Sequence, residues 1–367
     1  MRRTLHAAAM AAALAAAVSA GPAGASNTRV VYDDFSSNGA DYNAKWAAAF
    51  GPGEGTTSFT GARFNVRAVP FTTGADYSVF DHLKYIRTST AGFPVPAGHG
   101  SVTFESDIRA ATPGTVDGLV QQGIYAPSGT WTQPGLKPPG FANYRAGVLQ
   151  GQQAGAVMNM VDFCSGQLFD WFIAGNTAFP LIERLPSNVT GNAPNNPNCP
   201  GATVVGRSLM YTQIIKEIRV RPGVAHHVSI TYTHTGGSEA NVVYELDGQR
   251  VAKVNHVGIP LDRRGRDGHG DERHDDGDDD DGHNGHWSGT YPSLGPGERL
   301  GNQINSLTIG HGLFSLIDAF PFQHPESPEL SVSIPVGTGN PADAGRARLF
   351  GQGADASFDN FVVTTKG

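Results

Sequence analysis

Met158–Arg184, MNMVDFCSGQLFDWFIAGNTAFPLIER, is the stretch whose reading decides the fold class. Two apolar runs, Gln167–Ala174 and Ala178–Arg184, flank Gly175-Asn176. A Gly-Asn pair suits a two-residue hairpin loop, because such loops need a residue that tolerates positive φ. If Ala174 pairs with Thr177, the register follows: Asp170 faces Leu181 and Leu168 faces Glu183. Asp170 and Glu183 are then diagonal neighbours on one face, within reach of a shared ligand, water or proton. Retaining glycosidases hold two carboxyls about 5 to 5.5 Å apart, which makes this pair a candidate acid and base. Two other readings stand beside it: hydrogen bonding to a sugar without catalysis, and a structural role in which Glu183 pairs with Arg184 or Arg145 and Asp170 caps a turn. An ionised carboxylate between two sheets costs several kcal/mol unless paired, so the face bearing both is expected to look toward a wet groove. Leu168 and Phe172, on the same face, argue against it.

Outward from the hairpin the same short bursts recur: Arg29–Phe35, Ser58–Arg67, Tyr77–Arg87, Ser101–Arg109, Tyr144–Gln150, Ala156–Phe163, Ser208–Val220, His226–His234, Asn241–Leu246, Arg250–Val254, Asn305–Ile309, Leu330–Ile334 and Ser357–Thr364. No window longer than about ten residues holds a clean 3.6-residue period. Glycine (48) and proline (24) make up about a fifth of the 367 residues, while charged residues reach only 16%. These features exclude bundles and coiled coils and predict an all-β chain, a two-sheet antiparallel sandwich with long loops in one domain over 26–367.

Arg2 and Arg3 precede an apolar run from Ala7 to Val18, and Ala23-Gly24-Ala25 offers small residues for cleavage before Ser26. Residues 1–25 therefore read as a secretory signal peptide, and the mature protein is expected outside the cell, as a monomer. No other apolar run approaches the roughly 20 residues that span a bilayer. With a net charge of -7 and no lysine or arginine stripe, nucleic acid is not an expected partner. Asp262–His286 holds ten acidic residues, four arginines and four histidines with no large apolar side chain, and reads as a disordered insertion. Its His269, His274, His283 and His286 suit weak metal binding. Cys164 and Cys199 are expected to pair in an oxidising compartment, closing a loop of about 35 residues worth very roughly 3 to 4 kcal/mol.

The usual signatures of hydrolases, zinc proteases and nucleotide-binding proteins are absent: there is no Gly-x-Ser-x-Gly, no His-Glu-x-x-His and no phosphate-binding loop. The Glu-x-Asp-x-x-Glu strand of jelly-roll glucanases is missing too; its nearest echoes are Glu105-Ser106-Asp107 and Glu245-Leu246-Asp247. Sugar faces stack on aromatic rings, so Trp131, in a loop rich in glycine and proline, and Trp171, on a strand, are candidate ligand contacts. His82 and Lys84, in the titratable run Phe80–Tyr85, join them.

Tyr32-Asp33-Asp34-Phe35, Tyr244-Glu245-Leu246-Asp247-Gly248 and Phe358-Asp359-Asn360-Phe361, in that order, resemble the opening strand, turn and closing strand of the concanavalin A-like jelly roll of lectins and glucanases. More narrowly, Asp81-His82-Leu83-Lys84, Val161-Asp162-Phe163, Glu183-Arg184-Leu185-Pro186, Leu313–Asp318 and Arg348–Gly353 resemble a family of unknown function common in actinobacteria. The first resemblance implies that the terminal strands pair, bringing Asp33 or Asp34 toward Asp359, with calcium or with backbone and arginine donors between them. It also implies a concave sheet face that recognises an extracellular carbohydrate. The alternatives are a glycoside hydrolase or polysaccharide lyase using Asp170 and Glu183, and a metal-binding or envelope structural protein.

Overall fold

The computed structural model describes residues 27–72, 83–114, 120–123, 147–150, 154–184, 211–216, 218–236, 239–257, 298–300, 304–315 and 353–367. In chain order the first strands are β1 (Thr28–Asp33), β2 (Trp46–Ala47), β3 (Thr56–Phe59), β4 (Phe64–Ala68), β5 (Leu83–Ser89), β6 (Phe93–Pro94) and β7 (Ser101–Ala111). Then come β8 (Val120–Gly123), β9 (Gly147–Gln150), β10 (Ala154–Asp162), β11 (Gln167–Ala174), β12 (Thr177–Arg184), β13 (Tyr211–Ile214) and β14 (Ile218–Arg219). The remainder are β15 (Ala225–Gly236), β16 (Glu239–Leu246), β17 (Gln249–Val254), β18 (His256–Val257), β19 (Glu298–Arg299), β20 (Ser306–Ser315) and β21 (Ala354–Lys366), and one helical turn, α1 (Tyr42–Lys45), precedes β2.

These strands form the expected antiparallel two-sheet jelly-roll sandwich. The first sheet runs β17-β16-β15-β7-β21-β4-β3, and the second runs β13-β12-β11-β10-β20-β5-β2. The terminal strands pair as expected. Ala354–Phe358 of β21 lie against β4, Phe361–Thr365 lie against β1, and β7 covers the other edge.

Alternation places Val102, Phe104, Ile108 and Ala110 of β7 in the core, facing Met158, Met160, Phe169, Trp171, Ile309 and Leu313 of the second sheet. Two hydrogen bonds stitch the sheets together: Trp171 Nε1 donates to the Ser229 carbonyl and Tyr244 Oη to the Leu181 carbonyl, both at 2.8 Å. At the start of the chain Asp33 is buried and accepts hydrogen bonds from Trp46 Nε1 (2.7 Å), Lys45 Nζ (3.1 Å) and the Phe35 amide (3.0 Å). Its carboxylate thus ties β1 to α1 and β2.

Two expected strands are each split in the structure. Ser58–Arg67 breaks into β3 and β4, because Gly61 and Ala62 take φ of 61° and 56° and turn the chain. Ser208–Val220 yields β13 and β14. The expected signal peptide, the strand Leu330–Ile334 and the insertion Asp262–His286 lie outside the described residues.

Candidate functional site

The β11–β12 hairpin has the register the sequence predicts: Ala174 opposes Thr177, Asp170 opposes Leu181 and Leu168 opposes Glu183. Across the next strands Asn159 opposes Asp170, Gly310 opposes Asn159, and Thr88 opposes Gly310. The row Leu181, Asp170, Asn159, Gly310, Thr88 therefore crosses five strands. It lies on the face turned away from the inter-sheet core, since Phe169, Trp171 and Ile173 point inward.

The wet groove expected there is corrected by the structure. Asp170 is 1% exposed, Asn159 2% and Glu183 9%. The outer face carries its own apolar set, with Phe172 stacked on Phe179 at 5.2 Å and edge-on to Phe314 at 5.5 Å. The second sheet is buried on both faces, as its nearly unbroken apolar runs require.

Asn159 Nδ2 donates to Asp170 Oδ1 at 2.6 Å. Asp170 Oδ2 and Asn159 Oδ1 are fully buried and find no hydrogen-bond partner among the described residues. Burial pushes the Asp170 carboxyl well above its ordinary range, and the charge of Glu183 pushes it further, against the opposing hydrogen bond from Asn159. Both burial and the neighbouring carboxyl thus favour the protonated form of Asp170.

Other predicted residues fall elsewhere. Trp171 is wholly buried in the inter-sheet core, where its indole satisfies a carbonyl, so it is placed as a packing residue. Lys84 is buried and donates to the Thr72 carbonyl at 2.6 Å. Asp34 accepts from the amide and hydroxyl of Ser36 (3.0 and 2.6 Å). Asp359 meets Arg63 at 3.5 Å and its own neighbour's amide, Asn360 N, at 2.8 Å. Among the described residues no three His, Cys, Asp or Glu side chains converge to hold a metal ion. Cys164 follows β10 and is not a free thiol, while Cys199, Trp131, His82, His269, His274, His283 and His286 lie outside the described residues.

Sequence reasoning missed two clusters. Asn159 is the single polar residue in the run Ala156–Val161, and that interruption, opposite Asp170, was the available signal. The other is His311, wholly buried in the core, whose Nε2 lies 3.1 Å from Tyr42 Oη, itself 3.1 Å from Tyr85 Oη. Burial, and secondarily Arg87, hold its imidazole well below the ordinary range, hence neutral.

Residues 149–276 match the family described as "Family of unknown function (DUF6081)", which covers the β10–β12 region and about a third of the chain. No curated protein matches the sequence. Among solved structures, the chain is similar to an endo-β-1,4-glucuronan lyase from the fungus Trichoderma reesei, at 10% identity and TM-score 0.31, over 84% of this chain and 87% of that one. It is similar to an exolytic alginate lyase from Zobellia galactanivorans at 10% identity and TM-score 0.32, over 83% and 84%. It is also similar to the carbohydrate recognition domain of Emp46p at 6% identity and TM-score 0.30, over 89% and 91%.

Proposed function

We propose that this is a secreted protein that recognises an extracellular polysaccharide or other glycan through the outer face of its second sheet, around Asp170, Asn159 and Glu183. One observation carries the reading. Two adjacent buried polar atoms, Asp170 Oδ2 and Asn159 Oδ1, lack partners among the described residues on a face that the inter-sheet core does not use. An unsatisfied buried polar group costs about 1 to 3 kcal/mol, and a fold that keeps two side by side gains from a ligand that satisfies both. Secretion rests on the Arg2-Arg3, Ala7–Val18 and Ala23-Gly24-Ala25 pattern, and a Cys164–Cys199 disulfide accompanies it.

The raised carboxyl of Asp170, with Glu183 diagonally beside it, favours a second reading, hydrolysis or lyase cleavage, with Asp170 as acid and Glu183 as its partner. Glycan-array binding combined with release of reducing ends separates the two. Recognition predicts binding that Asp170→Leu and Asn159→Leu abolish in folded protein, with no new reducing ends. Cleavage predicts turnover that Asp170→Asn abolishes while binding persists. Binding unaffected by the leucine variants places the site elsewhere.

A further inference from the structure

We propose that β1 is a pairing edge for a second copy of this chain: two copies join antiparallel through Thr28–Val31, across a two-fold axis at Val31, and their first sheets become one. The monomer expected from the sequence gives way to a weak dimer. β1 pairs with β21 on one side and with no described strand on the other. Its outer backbone N–H and C=O groups are thus a template for a further strand. Thr28, Arg29, Val30 and Val31 are all exposed, and successive side chains of a strand point to opposite faces, so this end of β1 stands clear of the sandwich on both. Val30 and Val31, at 50% and 52%, are with Val224 the large apolar side chains left open among the described residues. The other described edges are blunted: β17 carries Arg250 and Lys253, β3 and β13 have four residues each, and β2 and β14 two. β1 runs for six residues with no lysine or proline, and Arg29 is its one cation.

Symmetry selects the occupant and its register. An isologous pair needs a surface complementary to itself. Hydrogen-bonded and non-hydrogen-bonded rows alternate along an antiparallel ladder, so a two-fold axis keeps the ladder only where a residue faces its own copy. With Val31 on the axis, apolar meets apolar: Val31 faces Val31 of the second copy, and Val30 faces its Tyr32. Arg29 then comes to the Asp33-Asp34 end of the opposite strand. Asp33 is spent on Trp46, Lys45 and the Phe35 amide, which leaves the partly exposed Asp34 as the acid for Arg29. The axis makes that contact twice. With Val30 on the axis instead, Arg29 would face Val31 and lose its acid. The paired segments are short, so the interface falls below the roughly 1,200 Å² of a stable complex and forms only at high protein concentration.

Sedimentation equilibrium of the protein from about 1 µM to about 1 mM tests this. The average mass is expected to rise toward twice the monomer's. Val31→Lys sets like charges against each other on the axis and should hold the mass at the monomer's throughout, with cooperative melting kept because the position is exposed. Cross-linking reads the register without relying on that variant. Under mild oxidation Val31→Cys should form a disulfide-linked dimer about tenfold or more faster than Val30→Cys, whose two copies are offset by two rows and stand too far apart to bridge. A monomer's mass over the whole range overturns the proposal. So does a dimer that survives Val31→Lys in cooperatively melting protein, or equal cross-linking at the two positions.

Discussion

Replacing Asp170 by asparagine is expected to stabilise this protein at neutral pH, an unusual outcome for a substitution at a fully buried position. The side chain keeps its shape, and the new amide oxygen still accepts the 2.6 Å hydrogen bond from Asn159 Nδ2. What disappears is the cost of keeping an ionisable group protonated at neutral pH, where burial and the neighbouring Glu183 oppose its charge. Each pH unit over which the native state keeps a proton that the unfolded chain has released costs about 1.4 kcal/mol, so a gain of about 1 to 3 kcal/mol is expected at pH 7. The pH dependence identifies the cause. Burial holds the folded-state value above the ordinary 3.8, so above about pH 4 the native state retains a proton that the unfolded chain releases. Native stability therefore declines as pH rises through that window, and the asparagine variant escapes the decline. Below about pH 4 the aspartate is protonated in both states and the difference should close. Urea unfolding followed by tryptophan fluorescence at pH 7, 5 and 3.5 measures it. A loss of more than about 1 kcal/mol at pH 7, or a gain that does not change with pH, would show that Asp170 is held for structure and refute the reasoning.

Three further outcomes are expected. His311, neutral and buried, takes no proton in the folded state, so stability should fall as pH drops below the ordinary 6.5, where the unfolded chain binds one; His311→Gln should flatten the slope of unfolding free energy between pH 7 and 5. Gly312→Ala should cost about 1 to 3 kcal/mol or more, because its Cβ would stand 2.0 Å from the Tyr85 carbonyl oxygen, while Gly310→Ala, at 3.1 Å from the Arg87 carbonyl, should cost clearly less; equal losses would count against the close approach at the β5–β20 irregularity. A chelator should leave the calorimetric melting temperature unchanged, since Ser36 donors satisfy Asp34 and Arg63 and the Asn360 amide satisfy Asp359; a drop of several degrees would restore calcium at the terminal strands.

Register and face were legible in the sequence because both follow from local chemistry. Gly175-Asn176 fixes the β11–β12 loop, and a period of two then sends Asp170 and Glu183 to the face opposite Phe169, Trp171 and Ile173. Burial of that face was not legible. Leu168, Phe172 and Val157 on the outer side look like Phe169 and Met158 on the inner side, and a strand apolar on both faces does not announce which one is wet. Trp171 was ambiguous for the same reason. His311 followed the alternation of Leu307, Ile309 and Leu313, yet its flanking glycines made Gly310-His311-Gly312 resemble a turn. The split of Ser58–Arg67 was marked by Gly61, whose positive φ continues at Ala62, a residue type that gives no such warning.

The position of β21 constrains the order in which the molecule can be assembled. Residues 354–366 fill a slot whose walls, β7 on one side and β4 with β1 on the other, come from residues 28–111. Contacts spanning so much sequence are slow to form, because the entropy of closing the intervening chain is lost before any pairing is gained. Until β21 arrives, β7 and β4 each present a bare edge, and such an edge pairs with whatever extended chain it meets, including a second nascent copy. A nascent or truncated chain lacking residues 354–366 is thus predicted to aggregate through its first sheet, even with the Asp170 face intact, and light scattering during refolding of such a truncation would register it.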